Sequence, residues 1–209
     1  MKNKVLLIFD FDGTLTRGDT FLPFLIYTFG TWKTFYGLVY TSPYILAYLL
    51  KITSNQYAKS KLIKIFFKEK NISQINKLAK KFVDNKLDKT LRKNIIDRLR
   101  WHQSQNHLTL LISASLSIYV KLWAKKYKFS YIESTELEEN REKFTGNIKG
   151  NNCYGYEKVI RIKKILNDSQ TNYELYGYGD SKGDEYFLKL CDHKYSKEKL
   201  KLIKSINKY

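Results

Sequence analysis

The chain is short of the residues that cross-link, kink and chelate. Its 209 residues include two cysteines, two prolines and three histidines. Cys153 and Cys191 lie far apart, in no CxxC and near no histidine pair, so neither a disulfide framework nor a structural zinc site is expected. Reduced thiols of that kind suit a cytoplasmic chain. His102, His107 and His193 are not at ligand spacing and read as structural or exposed. Acid is also scarce, with 20 Asp and Glu against 38 Lys and Arg, a formal charge of +18. Arginine is missing between Arg17 and Arg92, and Thr20–Leu50 has Lys33 as its only charge. Internal repeats and low-complexity linkers are lacking too. Met1–Asp10 does not read as a secretory signal, because Asp10 ends its apolar run.

Hydrophobic residues make up 43% of the chain and aromatic residues 15%, enough for a packed core, so global disorder is excluded. The basic excess concentrates in residues 51–100, which hold fifteen Lys or Arg against four Asp or Glu. Such a face attracts anionic lipid, phosphorylated substrates or nucleic acid, or is simply a solvated lysine surface. No nucleic-acid-binding motif accompanies it, so nucleic acid is not the expected partner.

Lys4–Phe9, His107–Ile112 and Tyr173–Tyr178 are short apolar runs that end in turn-forming residues. They read as buried parallel strands, with Ser130–Glu133 a shorter fourth. Ser117–Lys128, Tyr156–Asn167 and Asp184–Cys191 read as helices between and after them. This alternation predicts an α/β fold with a parallel sheet, whose ligand sits beyond the carboxyl ends of the strands. Residues 20–90 interrupt it and read as helical throughout. The expected division is a core of 1–19 and 91–209 with an inserted α-helical cap at 20–90. Within the cap, Thr34–Leu50 is near the lower length of a membrane span, roughly 17–25 residues. Pro43, Gly37, Thr41 and Ser42 argue instead for an apolar helical hairpin. That hairpin is either buried cap core, a homodimer interface, or a surface that dips into an anionic membrane.

Three polar clusters fall at the predicted strand ends. Asp10 and Asp12, two residues apart on an extended segment, face the same way. One carboxylate can attack phosphorus, and the other can protonate a leaving oxygen and then deprotonate water. Gly13 admits close approach of a phosphate to the backbone, and Thr14 can hydrogen-bond in the turn. Asp180 and Asp184 supply further acid. Mg²⁺ takes oxygen ligands, and Asp10, Asp180 and the Asp12 carbonyl are the candidates, with Asp184 acting behind them. Ser113, Ala114 and Lys158 are positioned to bind the phosphoryl oxygens.

Taken together, these clusters resemble the haloacid dehalogenase superfamily. Asp10-Phe11-Asp12-Gly13-Thr14 resembles its first motif, Ser113 its second, Lys158 its third and Gly179-Asp180-Ser181-Lys182-Gly183-Asp184 its fourth. The resemblance covers roughly residues 4–19 and 106–195. It implies a flavodoxin-like (Rossmann-like) sheet with the first strand central, Mg²⁺, and an aspartyl-phosphate formed on Asp10. Ser113-Ala114-Ser115, Thr135-Glu136-Leu137 and Asn152 to Lys158 are similar to the phosphoserine phosphatase-like branch. In that branch Asp19 would replace a substrate-binding acid, and a cap arginine has no counterpart here; Lys59, Lys61 or Lys64 would have to supply the charge. The apolar hairpin, Gly155–Val159 and Tyr176–Ser181 are similar to a bacterial phosphatidylglycerophosphatase. The expectation is therefore a phosphatase for small or lipid phosphomonoesters, cytoplasmic or peripheral on the inner face of a membrane. A phosphotransferase, or a silent phosphate- or nucleic-acid-binding module, stays open as an alternative.

Overall fold

The computed structural model describes residues 4–169, 172–196 and 199–200. Five strands form a parallel sheet: β1 (Lys4–Phe9), β2 (Leu108–Leu116), β3 (Tyr131–Thr135), β6 (Tyr173–Tyr178) and β7 (His193–Tyr195). Their order is β3-β2-β1-β6-β7, so β1 is central. The run KVLLIF has no polar side because both faces of β1 are covered. Leu7 and Phe9 enter one buried cluster, and Leu6 and Ile8 enter the other.

The second cluster is closed by α7 (Tyr156–Ser169), through Val159 and Ile162, and by α8 (Glu185–Leu188), through Phe187 and Leu188. The first takes its cover from α5 (Lys93–Ser104) and α6 (Ser117–Lys126), and from the helices inserted between β1 and β2. Those helices are α1 (Phe21–Phe29), α2 (Thr31–Leu49), α3 (Asn55–Phe67) and α4 (Ile72–Asn85). Local chemistry sets their ends. The Ser54 hydroxyl accepts from the Tyr57 N–H and starts α3, and the Asn71 side chain accepts from the Gln74 N–H and starts α4. Pro43 lies inside α2 and cannot donate to the Val39 carbonyl, which takes the Ser42 hydroxyl at 2.7 Å instead.

Three expectations change. β2 does not stop at Ile112; it carries Ser113-Ala114-Ser115 within the strand, because Ser113 and Ser115 are buried and bonded rather than turned to water. An antiparallel hairpin, β4 (Leu137–Asn140) and β5 (Lys143–Ile148), stands where no strand was expected. Its Phe144 backbone pairs with Glu69 and Lys70, just after α3. The predicted helix at Asp184–Cys191 is a 3₁₀ turn, Lys182–Asp184, followed by the single-turn α8.

The apolar stretch 20–50 is indeed a helical hairpin, turning at Gly30. Among the described residues, no helix is long and apolar enough to cross a membrane. Nor is α2 wholly buried cap core: Trp32, Phe35, Tyr36, Val39, Tyr40, Leu46 and Leu49 are exposed.

Candidate active site

The chain after β1 leaves the sheet extended at Asp12 and reverses at Gly13, where φ is 77°. A Cβ on Gly13 would sit 2.1 Å from Asp180 Oδ2, so glycine is needed both for the turn and for the approach of the two acidic loops. Arg92 fixes the turn from behind, its Nε donating to the Gly13 and Thr16 carbonyls at 3.0 and 3.1 Å. Gly13→Ala should cost about 1–2 kcal/mol of stability from backbone strain and lower turnover by more than that loss explains. Urea unfolding beside kcat measures both.

Asp10 is 6% exposed. Its Oδ1 accepts from Lys158 Nζ at 2.6 Å, and its Oδ2 from the Thr14 hydroxyl at 3.3 Å. Lys158 Nζ also donates to Asp184 Oδ1 at 2.7 Å. The other oxygen of Asp184 accepts from the Asp180 and Ser181 N–H groups and from the Ser181 hydroxyl. Asp184 thus ties Lys158 to the loop that carries Asp180. Burial is the main force raising the Asp10 pKa to about 8; Lys158 opposes it, while Asp184 and Asp12 add to it. The Lys158 ammonium is held charged, because two carboxylates outweigh its burial.

Asp12 is oriented differently. Its Oδ1 accepts from the Thr20 N–H and hydroxyl at 2.8 and 2.6 Å, and its Oδ2 from the Ser115 hydroxyl. Burial, with Asp19 nearby, lifts its pKa to about 6, although these donors pull the other way. Asp12 can therefore gain and lose a proton near neutrality.

Asp10, Asp12, Gly13, Asp19, Ser113, Ala114, Lys158 and Asp180 line one cavity of about 550 Å³. Ser113 Oγ accepts from the Ser115 N–H at 3.0 Å. Thr14 is fully buried and supports Asp10 from behind rather than facing the cavity. Asp19 is exposed, and its Oδ2 accepts from the Leu22 N–H at 2.9 Å at the start of α1, so one of its oxygens is already used. Of the three cap lysines, Lys59 lines the cavity. It donates to the Ala114 carbonyl and to Asn152 Oδ1, and burial lowers its pKa to about 8. Lys61 lies over the Tyr44 and Tyr57 rings, and Lys64 is exposed. A larger depression of about 850 Å³, between α4, α6 and the β4–β5 hairpin, holds none of the strand-end residues.

Sequence reasoning missed Thr20, Ser115 and Arg92 as supports of the acidic loop. Single Ser, Thr and Arg residues carry no spacing signal, and only the folded chain brings them to Asp12 and Gly13. Among the tyrosines around the strand ends, Tyr178 is fully buried, Tyr154 lines the cavity and Tyr156 is largely exposed. His102 is buried with its Nδ1 2.8 Å from that of His107, and His193 is exposed beside Glu174.

The donor set fits Mg²⁺. Asp10, Asp180 and Asp184 offer carboxylate oxygens within 4.8 Å of one another. Lys158 is bonded to both Asp10 and Asp184, and a cluster of oxygen-only ligands suits a hard divalent ion. Asp10 and Asp180 would hold it, with Asp184 alongside.

Known proteins share this architecture. "Protein CicA" of Caulobacter vibrioides is 28% identical over 191 residues, covering 91% of this chain and 84% of its own. A Bordetella pertussis Tohama I protein described as of unknown function superposes with a TM-score of 0.79 at 20% identity, over 90% of this chain and 87% of that one. A substrate-bound phosphoserine phosphatase gives 0.68 at 17% identity, over 94% of this chain and 87% of that one. The model of the haloacid dehalogenase-like hydrolases matches residues 7–189, from inside β1 to just past α8, and the chain belongs to that family.

Proposed function

We propose that this protein is a Mg²⁺-dependent phosphomonoester phosphatase working through an aspartyl-phosphate on Asp10. One observation carries the reading: two neighbouring carboxylates face one cavity with different partners, Asp10 held by Lys158 and Asp12 held by hydroxyl and amide donors. In the first step an Asp10 oxygen attacks phosphorus and the P–O bond to the leaving group breaks. Asp12 gives that oxygen its proton. In the second step Asp12 takes a proton from water, the water oxygen attacks phosphorus, and the acyl-phosphate bond breaks to release phosphate and restore Asp10. Lys158 and the groups at Ser113 and Ala114 offset charge on the phosphoryl oxygens. A bound Mg²⁺ would supply charge neutralisation and fix the phosphate against Asp10. Helices α1–α4 serve as a cap: Phe21, Ile45, Tyr48 and Leu62 give the cavity an apolar wall that limits water.

The test is phosphate release from soluble and lipid phosphomonoesters with Mg²⁺ or with EDTA. Turnover should require the metal; loss of Mg²⁺ dependence would refute the reading. Asp12→Asn should slow the first step by about 10²–10⁴-fold with alkyl phosphates and far less with p-nitrophenyl phosphate, whose leaving group needs no proton, so that a burst of p-nitrophenol precedes a slowed second step. For alkyl substrates, protonated Asp12 declines above its pKa, so the first step should slow as pH rises past about 6. Bound Mg²⁺ moves that limb to lower pH. An added alcohol that collects phosphate in place of water would redirect the assignment to a phosphotransferase.

A further inference from the structure

We infer that the outward face of α2 is a docking surface for an anionic lipid bilayer. The helix is packed inside out. Its buried residues are the small Thr34, Gly37 and Thr41, and a Cβ on Gly37 would come within 2.4 Å of the Phe66 ring. Many of its large residues point away: Trp32 is 75% exposed and Tyr40 71%, with Phe35, Tyr36 and Val39 also exposed. An ordinary surface helix buries such side chains and shows its small polar ones. Leu49, the last residue of α2, and Leu50 and Ile52 just after it are also exposed and extend the patch. Contiguous apolar surface of this kind marks an interface.

Charge identifies the occupant. Between Thr20 and Lys68 there is no Asp or Glu, while Lys33, Lys51, Lys64 and Lys68 are exposed in that span. A second copy would bring the same lysines face to face within a chain of net charge +18, whereas anionic headgroups are complementary. Trp32, Tyr36 and Tyr40 combine an apolar body with a polar tip, the side-chain type that settles at headgroup depth. Lys33, Thr34, Thr41 and Ser42 along α2 fit a helix lying in the interface rather than one crossing it. The placement also has a purpose, which rests on the phosphatase reading. Ile45 and Tyr48 of the same helix line the cavity that holds Asp10, so docking sets its mouth beside the headgroup layer.

The experiment is flotation of the full chain with phosphatidylcholine vesicles, with and without phosphatidylglycerol. Binding should appear with phosphatidylglycerol and weaken as salt is raised. The variant Trp32→Ser/Tyr36→Ser/Tyr40→Ser should bind about tenfold or more weakly, while its turnover of p-nitrophenyl phosphate stays that of the parent. Asp10→Asn should float like the parent, so docking is read independently of catalysis. No binding by the parent to anionic vesicles, or equal binding by the triple variant, overturns the proposal. So does a dimer in light scattering that the triple variant dissolves, which would make a second copy the occupant.

Discussion

Asp10→Asn is expected to reduce phosphate release by on the order of 10⁴-fold or more at every pH, because an amide cannot form the acyl-phosphate. Its effect on stability should run in the opposite direction. Asp10 is buried, and burial with Asp184 and Asp12 raises its pKa from 3.8 to about 8. Between those values the folded, metal-free protein keeps a proton that the unfolded chain has lost. Stability contributed at low pH is therefore lost as pH rises towards 8. Asparagine is neutral throughout. In EDTA the variant should melt above the parent at pH 8, with the gap closing towards pH 4. Asp12 is retained, so a smaller decline up to about pH 6 should persist in both. Mg²⁺ should raise the parent's melting temperature more than the variant's, because it compensates the charge that the variant lacks. Residual turnover within tenfold of the parent would remove Asp10 from the role of nucleophile.

Lys158→Met should be the most destabilising single change in the site, at about 3–5 kcal/mol. The lysine side chain is 3% exposed and ends 2.6 Å from Asp10 and 2.7 Å from Asp184. Methionine fills much of the volume but leaves two carboxylates in a buried site without their cation. Asp184 is fully buried and cannot turn to water. Removing one of the stranded acids should restore part of the loss, so Lys158→Met/Asp184→Asn should be more stable than the two separate effects predict. Urea unfolding of the four proteins in the cycle measures that coupling. Turnover should remain absent in the double variant even where it is folded, since the ammonium is lost from the phosphoryl site. A double variant no more stable than the sum of its parts would mean that Lys158 and Asp184 act separately.

The central strand and its acids were legible because KVLLIF must be covered on both faces and Asp10 then falls at a strand end. The same logic found β6 and Asp180. It failed in β2, where Ser113-Ala114-Ser115 looks like a turn. There the register against β3 shifts between Ser113 and Leu116, and buried hydroxyls find partners inside the fold. The β4–β5 hairpin was not legible at all. Leu137-Glu138-Glu139-Asn140 is largely polar, and the hairpin is fixed by Phe144 pairing with a distant backbone, a tertiary effect that no local pattern encodes. The hairpin at 20–50 was legible as helix but not as to which side faced outward. Composition reports how apolar a helix is; only packing against Phe66 shows that its small residues form the inner face.

The central place of β1 also governs when activity can exist during synthesis. β1 leaves the ribosome well before either of its neighbours: β2 begins at Leu108 and β6 at Tyr173. Until then a nascent chain carries an apolar strand with two open edges, a form that invites aggregation or a chaperone. Asp10 meets Lys158, Asp180 and Asp184 only when the last of these has emerged. A truncated product ending before Tyr173 therefore has Asp10 but no assembled centre, and under the proposed mechanism unfinished chains are inactive.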